Sequence, residues 1–263
     1  MSLYQSIGFH GNVHCQNNQL ITIECLDDIQ LNESLRPLLA SLFVHYVIAT
    51  KEESWLRDIV RDVFYFEDEA EQQQIISIAR SLLDNKRDIG RANLNFQRED
   101  FIYQAFLQSL ELDSTFYYEA FVTFRLREYF QQLAVYVEKA IDEYFLEQEY
   151  QTIVEQLRRF VLTTEERTDL IHVVYGNEIR FYDRTYRHMK REELLFYLEE
   201  ELIFEQGLRL EEMVISPLVS LVPRKVFMYA DDFDSGVIHT MRAIFQERLS
   251  VLPLASFRYA NID

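Results

Sequence analysis

Apolar positions along this chain follow three successive spacings. Near the start they alternate, with Ile21, Ile23 and Cys25 on one side of an extended segment. Gly11-Asn12 and Asn17-Asn18 are two-residue turn signals, so residues 4–10, 13–16 and 19–26 are predicted to form a small antiparallel β-meander. From Asn32 onward the spacing lengthens to threes and fours. Asn32 or Ser34 is placed to cap a helix with Pro37 in its first turn and Leu38, Leu42 and residues 44–47 on its apolar side. Trp55, Ile59, Val63 and Phe66 predict a second helix over 53–66, and a third spans about 69–83. The polar run 85–95, which carries Gly90, reads as a mobile loop.

Another helix is predicted over 98–110, followed by the longest helical stretch, 116–161. Along it Val122, Leu126, Tyr129, Leu133, Tyr136, Ala140 and Tyr144 step by threes and fours. After Glu147 the phase shifts, and Tyr150, Val154, Leu157 and Val161 start a new register. A coiled coil needs sustained heptads, so this pattern predicts two helices or one kinked helix. The remainder mixes both periods. Strands over 169–175 and 178–183 flank Gly176-Asn177, a hairpin signal. Helices follow at 190–205 and 210–221, a strand at 225–230, a helix at 235–249 and a last strand at 251–257. The expected class is α+β and predominantly helical, with a small N-terminal β-meander and a C-terminal α/β unit holding a small mixed sheet. Residues 1–115 and 116–263 are the expected domains.

Composition supports this class. Of 263 residues, 48% are hydrophobic and 14% aromatic, ample for a core and far from a disordered composition. Only six glycines and four prolines occur, and none of the prolines falls between Pro37 and Pro217, as helices require. The net charge is −18 and the pI about 4.8, so long-range repulsion opposes nucleic acid and anionic membrane surfaces and leaves a protein as the expected, unidentified partner. The first residues lack the basic and apolar runs of a secretory signal, and the longest apolar stretch, 38–49, is too short to span a bilayer. Two cysteines, Cys15 and Cys25, are too few for a disulfide framework. The expected location is the cytoplasm.

Several blocks share their order and spacing with a known family. Phe121-Val-Thr-Phe-Arg-Leu-Arg-Glu-Tyr129 is followed by Ala140-Ile-Asp-Glu-Tyr144, Glu149-Tyr150 and Leu157-Arg-Arg-Phe-Val161. Asp169-Leu-Ile-His-Val173, Tyr182-Asp183, Ile215-Ser-Pro-Leu218 and Pro223-Arg-Lys225 come after them. Over roughly residues 116–255 the chain resembles the YtxC-like sporulation protein family. The resemblance implies an endospore-forming bacterium and a cytosolic protein of undetermined biochemical activity. It supplies no catalytic residues. The cysteine-bearing tail of many members has no counterpart in Tyr259-Ala-Asn-Ile-Asp263, so no redox or metal role is carried over from it.

Four clusters are candidates for chemistry. A hairpin turning at Gly11-Asn12 puts His10 and His14 on opposite faces, which argues against a zinc site with Cys15 and leaves His14 half-buried beside Phe9 and Ile21. Asp231, Asp232 and Asp234, with His239 one turn on, offer oxygen ligands to a divalent metal after a strand. Asp234 or Ser235 equally serves as a helix cap. Arg184, Arg187, His188, Lys190 and Arg191, interleaved with Tyr182 and Tyr186, reverse the local sign and suit an acidic partner or phosphate; solvated charges screened by Glu192 and Glu193 are the bland reading. Arg125, Arg127, Tyr129, Asp142, Glu143, Arg158 and Arg159 suggest ion pairs between helices, structural rather than functional. His172 reads as a core histidine sharing a face with Leu170, Val174, Ile179 and Phe181. No phosphate-binding loop, dinucleotide fingerprint, zincin motif or nucleophile elbow occurs, and no cofactor is expected. Two readings follow: a non-catalytic sporulation protein acting through protein–protein interaction, or a divalent-metal-dependent enzyme with its site at Asp231, Asp232 and Asp234.

Overall fold

A computed structural model describes residues 11–16, 20–25, 35–84, 97–110, 115–176, 178–198 and 213–260. The fold is α+β and predominantly helical, and the chain forms two compact units, Met1–Phe145 and Leu146–Asp263.

In the first unit, β1 (Gly11–Gln16) and β2 (Leu20–Cys25) pair antiparallel, with Gly11 opposite Cys25 and Asn12 opposite Glu24. Gly11-Asn12 is therefore strand rather than turn, because a six-residue ladder outweighs a local turn preference. The two strands join across 17–19, where the other predicted turn falls; residues 4–10 lie outside the described residues. Helix α1 (Arg36–Thr50) carries Pro37 in its first turn as expected, but its N-cap position is Leu35, without a side-chain cap; Asn32 and Ser34 lie outside the described residues. Helix α2 (Glu52–Asp58) runs into a π-helical turn, Ile59–Val63, and stops there, short of the predicted Phe66. Helices α3 (Glu69–Asp84) and α4 (Arg98–Ser109) follow; the predicted loop 85–95 lies outside the described residues.

Next come α5 (Tyr118–Arg125) and α6 (Arg127–Thr163). The break falls at Leu126, and the helix runs unbroken through Glu147, where a break or kink was expected. The phase shift has another cause. Leu133, Val137, Ala140 and Tyr144 belong to the first unit's core, with Leu56, Val60, Ile75, Ile76 and Ile102, whereas Val154, Leu157 and Val161 belong to the second unit's core. One helix serves two cores, so its apolar stripe changes face while its backbone continues. Aromatic rings fill much of the first core: Phe43 stacks on Phe106 at 4.2 Å and meets Phe121 edge-on at 5.3 Å.

The second unit holds a four-stranded mixed sheet in the order β4-β3-β5-β6. Strands β3 (Thr168–Tyr175) and β4 (Ile179–Asp183) form the predicted antiparallel hairpin; β5 (Pro223–Ala230) lies parallel to β3, and β6 (Leu249–Pro253) parallel to β5. Helix α7 (Arg191–Tyr197) gives way to extended backbone at Leu198, and α8 (Ile215–Leu221) leads into β5. Helix α9 (Gly236–Phe245) ends where Gln246 turns to φ 46°, so Leu249 already belongs to β6. Strand β6 closes at Pro253, and Leu254–Ala260 form helix α10, so Phe257 is helical rather than part of a last strand. One face of the sheet buries Ile171, Val173, Phe181, Val226 and Met228 against Val154, Leu157, Val161, Leu218, Ile238 and Ile244.

Candidate functional site

The register of the β3–β4 hairpin decides what stands on its other face. Tyr175 pairs with Ile179, so three residues connect the strands and His172 faces Tyr182. A two-residue turn would have set His172 opposite Phe181; one added residue moves every β4 side chain to the other face. His172 thus shares its face with Tyr182 and Phe227, while Ile179 and Phe181 belong to the opposite one. It is buried, as expected of a core histidine, but in an aromatic nest. Tyr186 stacks on it at 4.2 Å, Phe227 lies at 5.6 Å, and Nδ1 is 3.1 Å from the Tyr229 hydroxyl. Phe257 of α10 packs on Tyr182 and Tyr229. Nε2 is buried without a hydrogen-bond partner among the described residues. Burial holds the His172 pKa below its ordinary value, despite the nearby negative charge of Asp183. Burial, with Tyr186 beside it, pushes the Tyr229 hydroxyl up to about 12. Tyr186 adopts φ 61°, a left-handed conformation that side chains with a Cβ rarely take.

The turn carrying Tyr186 is braced by ions on its other side. Asp183 Oδ1 accepts from the Thr185 amide at 2.9 Å, the Thr185 hydroxyl at 2.7 Å and the Arg187 amide at 3.1 Å, while Oδ2 accepts from Arg187 Nε at 3.0 Å. Partial burial would raise the Asp183 pKa, but these donors outweigh it and hold it below the ordinary carboxylate value. Arg187 Nη1 donates to Glu193 Oε1 at 2.8 Å, and the Lys190 amide donates to Glu193 Oε2 at 3.0 Å, fixing the start of α7. The hydrogen bond from Arg187 depresses the Glu193 pKa, and that same bond raises the pKa of Arg187.

Around this brace lies an open cavity of about 340 Å³. Its walls come from the start of β3 (Thr168, Asp169, Leu170, Ile171), the turn (Asp183, Arg184, Arg187, Met189) and α7 (Glu193, Tyr197). Of the basic cluster, Arg184 and Arg187 line it. Lys190 and Arg191 stand exposed at the start of α7 and do not. His188 is exposed and meets Tyr182 edge-on at 5.4 Å.

Elsewhere, Asp231, Asp232 and Asp234 are exposed in the β5–α9 connection, where Asp232 Oδ1 accepts from the Asp234 amide at 2.9 Å. Ser235 occupies the α9 N-cap position, but its side chain makes no cap bond. His239 is exposed. Among the described residues no three His, Cys, Asp or Glu side chains gather as a metal-ligand set. His14 is exposed on β1 opposite Thr22, not half-buried beside Ile21. Tyr129 does join a buried ionic network, but its partners are Glu52 and Arg98, which the sequence pattern did not single out. The pairs Lys139–Asp142 at 3.8 Å and Arg158–Glu155 at 3.4 Å are surface contacts of little energetic weight.

Comparison with known proteins adds two findings. The model of the YtxC-like family matches residues 37–250, reaching well before the blocks that carry the sequence resemblance. The "Uncharacterized protein YtxC" of Bacillus subtilis (strain 168) is 30% identical over 223 residues, covering 84% of this chain and 78% of that protein. No solved structure matches the chain.

Proposed function

The chain belongs to the YtxC-like family, and from that membership we propose that it is a sporulation-associated cytoplasmic protein that acts without catalysis, through protein–protein interaction. The observation carrying the interaction is on α7. This helix supplies Glu193 and Tyr197 to the cavity, yet Leu195 and Phe196 on the same helix are 46% and 82% exposed. A bare aromatic ring beside an ionic cleft has the anatomy of a protein interface, where aromatic anchors sit against a polar rim. Two further features fit. No helix among the described residues is long and apolar enough to cross a membrane, and the charge of −18 repels nucleic acid.

The test is affinity capture of the tagged chain from sporulating cells beside its Phe196→Asp variant, with matched melting curves to show that both are folded. A protein held by the first and lost by the second supports the reading. Identical captures, or none above an untagged control, overturn it. A deletion strain that sporulates normally removes the sporulation part alone.

A further inference from the structure

Helix α1 has no charged side. Residues 37–50 contain no Asp, Glu, Lys or Arg, in a chain of net charge −18. Ala40, Val44 and Val47 are buried in the first unit's core. Helical spacing sets Leu38, Leu42, His45, Tyr46 and Ala49 on the side away from them. Leu38 is half-buried there, Leu42 and Tyr46 are 53% and 46% exposed, and His45 and Ala49 are exposed. The hydroxyls flanking this stripe are turned onto the helix itself: Ser41 donates to Pro37 O at 3.0 Å and Thr50 to Tyr46 O at 2.6 Å. The charges at the two ends are engaged as well. Arg36 Nη2 donates to Leu107 O at 2.7 Å, and the Lys51 ammonium lies over the Tyr46 ring at 5.8 Å. A helix that is apolar all round belongs in an interior. Helix α8 shows that outcome: it too lacks charge, and all seven of its residues are buried. Helix α1 is buried on one side only.

Charge and spacing together say what covers the stripe. It offers no carboxylate to a basic partner and no cation to an acidic one. It does let a second chain of net charge −18 approach without setting like charges against each other. Leu38, Leu42, His45 and Ala49 follow one another at intervals of four, three and four, a seam that reads the same in either direction. A second copy run antiparallel along it sets Leu38 against the partner's Ala49, large against small, and Leu42 against the partner's His45. The same residues serve both sides, as a two-fold interface requires. We infer that α1 is a self-association face, on which two copies of this chain pack antiparallel along Leu38, Leu42, His45 and Ala49. It lies in the first unit and the α7 surface proposed above lies in the second, so neither reading depends on the other.

The experiment is sedimentation equilibrium of the full-length chain from micromolar to submillimolar concentration. The seam is short, so a dimer of micromolar affinity is expected. Raising salt from about 0.05 to about 0.5 M is expected to tighten it, because screening removes the repulsion between two acidic chains and leaves the apolar contact. Leu42→Glu is expected to weaken association about a hundredfold, since both copies then carry an unpaired charge into the seam. The double variant Leu42→Glu with His45→Lys is expected to recover most of the loss, because the antiparallel register sets the two new charges against each other. Both positions are exposed in the single chain, and matched melting curves check that the variants fold. Phe196→Asp is expected to leave the dimer unchanged. A parent chain that stays monomeric at every concentration and salt overturns the inference. So does a dimer that Leu42→Glu leaves intact, or one that the double variant fails to recover. A monomer whose Leu42→Glu variant loses a protein captured from sporulating cells overturns it too, and assigns the face to a different protein.

Discussion

Glu52 of α2 is 3% exposed and held from two other helices. Arg98 Nη1 of α4 donates to Oε1 at 2.9 Å, and the Tyr129 hydroxyl of α6 donates to Oε2. Arg98 Nη2 also donates to Asp84 at 2.5 Å, tying the end of α3 to the start of α4. Burial pushes the Glu52 carboxyl above its ordinary value even with these partners, so desolvation is the larger effect. Such a network is costly to break from one side. Glu52→Ala removes the carboxylate that the Tyr129 hydroxyl and Arg98 Nη1 donate to, while Arg98 keeps Asp84, and is expected to lower unfolding stability by about 3 kcal/mol in urea titrations. Tyr129→Phe is expected to cost about 1–3 kcal/mol; a change within error for both would show the network to be idle. His172 makes the second residue-scale prediction. Its pKa is lower in the folded chain, so the unfolded chain binds the extra proton first. Its contribution to stability is complete above the unfolded value of about 6.5 and is lost as pH falls from there toward the folded pKa. Melting temperatures of the parent and His172→Phe between pH 7.5 and 5 should diverge in slope, the parent falling faster. Parallel curves would show that the ring does not titrate there.

Among the elements, α6 carries the sharpest consequence. The polar run at Glu147 coincides with a shift of hydrophobic phase, and Glu147 is exposed, accepting a hydrogen bond from the Gln151 side-chain amide at 2.6 Å. Because the helix is continuous there, Glu147→Pro removes an interior hydrogen bond and is expected to cost about 3 kcal/mol or more. Glu147→Ala should stay within about 0.5 kcal/mol, as surface changes do. Proline tolerated as well as alanine would mean that the helix is broken at this point. The short turn after β4 makes the same argument from geometry. Its ion brace and the left-handed Tyr186 set charged groups toward the cavity and a ring toward His172, so one connection serves both faces of the sheet.

At the scale of the molecule, each unit has its own core, and the single tryptophan reports on one of them. Trp55 packs on Phe130 at 4.8 Å and on Tyr129 at 6.3 Å, all in the first unit. Leu157 is buried in the second. Leu157→Ala is expected to cost that unit about 2–5 kcal/mol, seen as faster amide exchange in β3 and β5, while the Trp55 fluorescence transition keeps its midpoint. A matching fall in the Trp55 midpoint would show that the two cores unfold as one.

Local chemistry was enough to determine the helical class, most helix positions, the β3–β4 hairpin and the family, since periodicity, proline spacing and ordered motif blocks are properties of neighbouring residues. The basic cluster was legible too, and two of its five residues, Arg184 and Arg187, line a cavity. What the tertiary structure alone decided depends on distant partners. Glu52 and Arg98 are 46 positions apart, and nothing near either one marks it as buried. The hairpin register turned on one residue of loop length, which settled whether His172 met aliphatic or aromatic neighbours. The phase shift at Glu147 was visible as a pattern, but a change of core and a break in the backbone leave the same mark on a sequence. Only the packing on either side of it tells them apart.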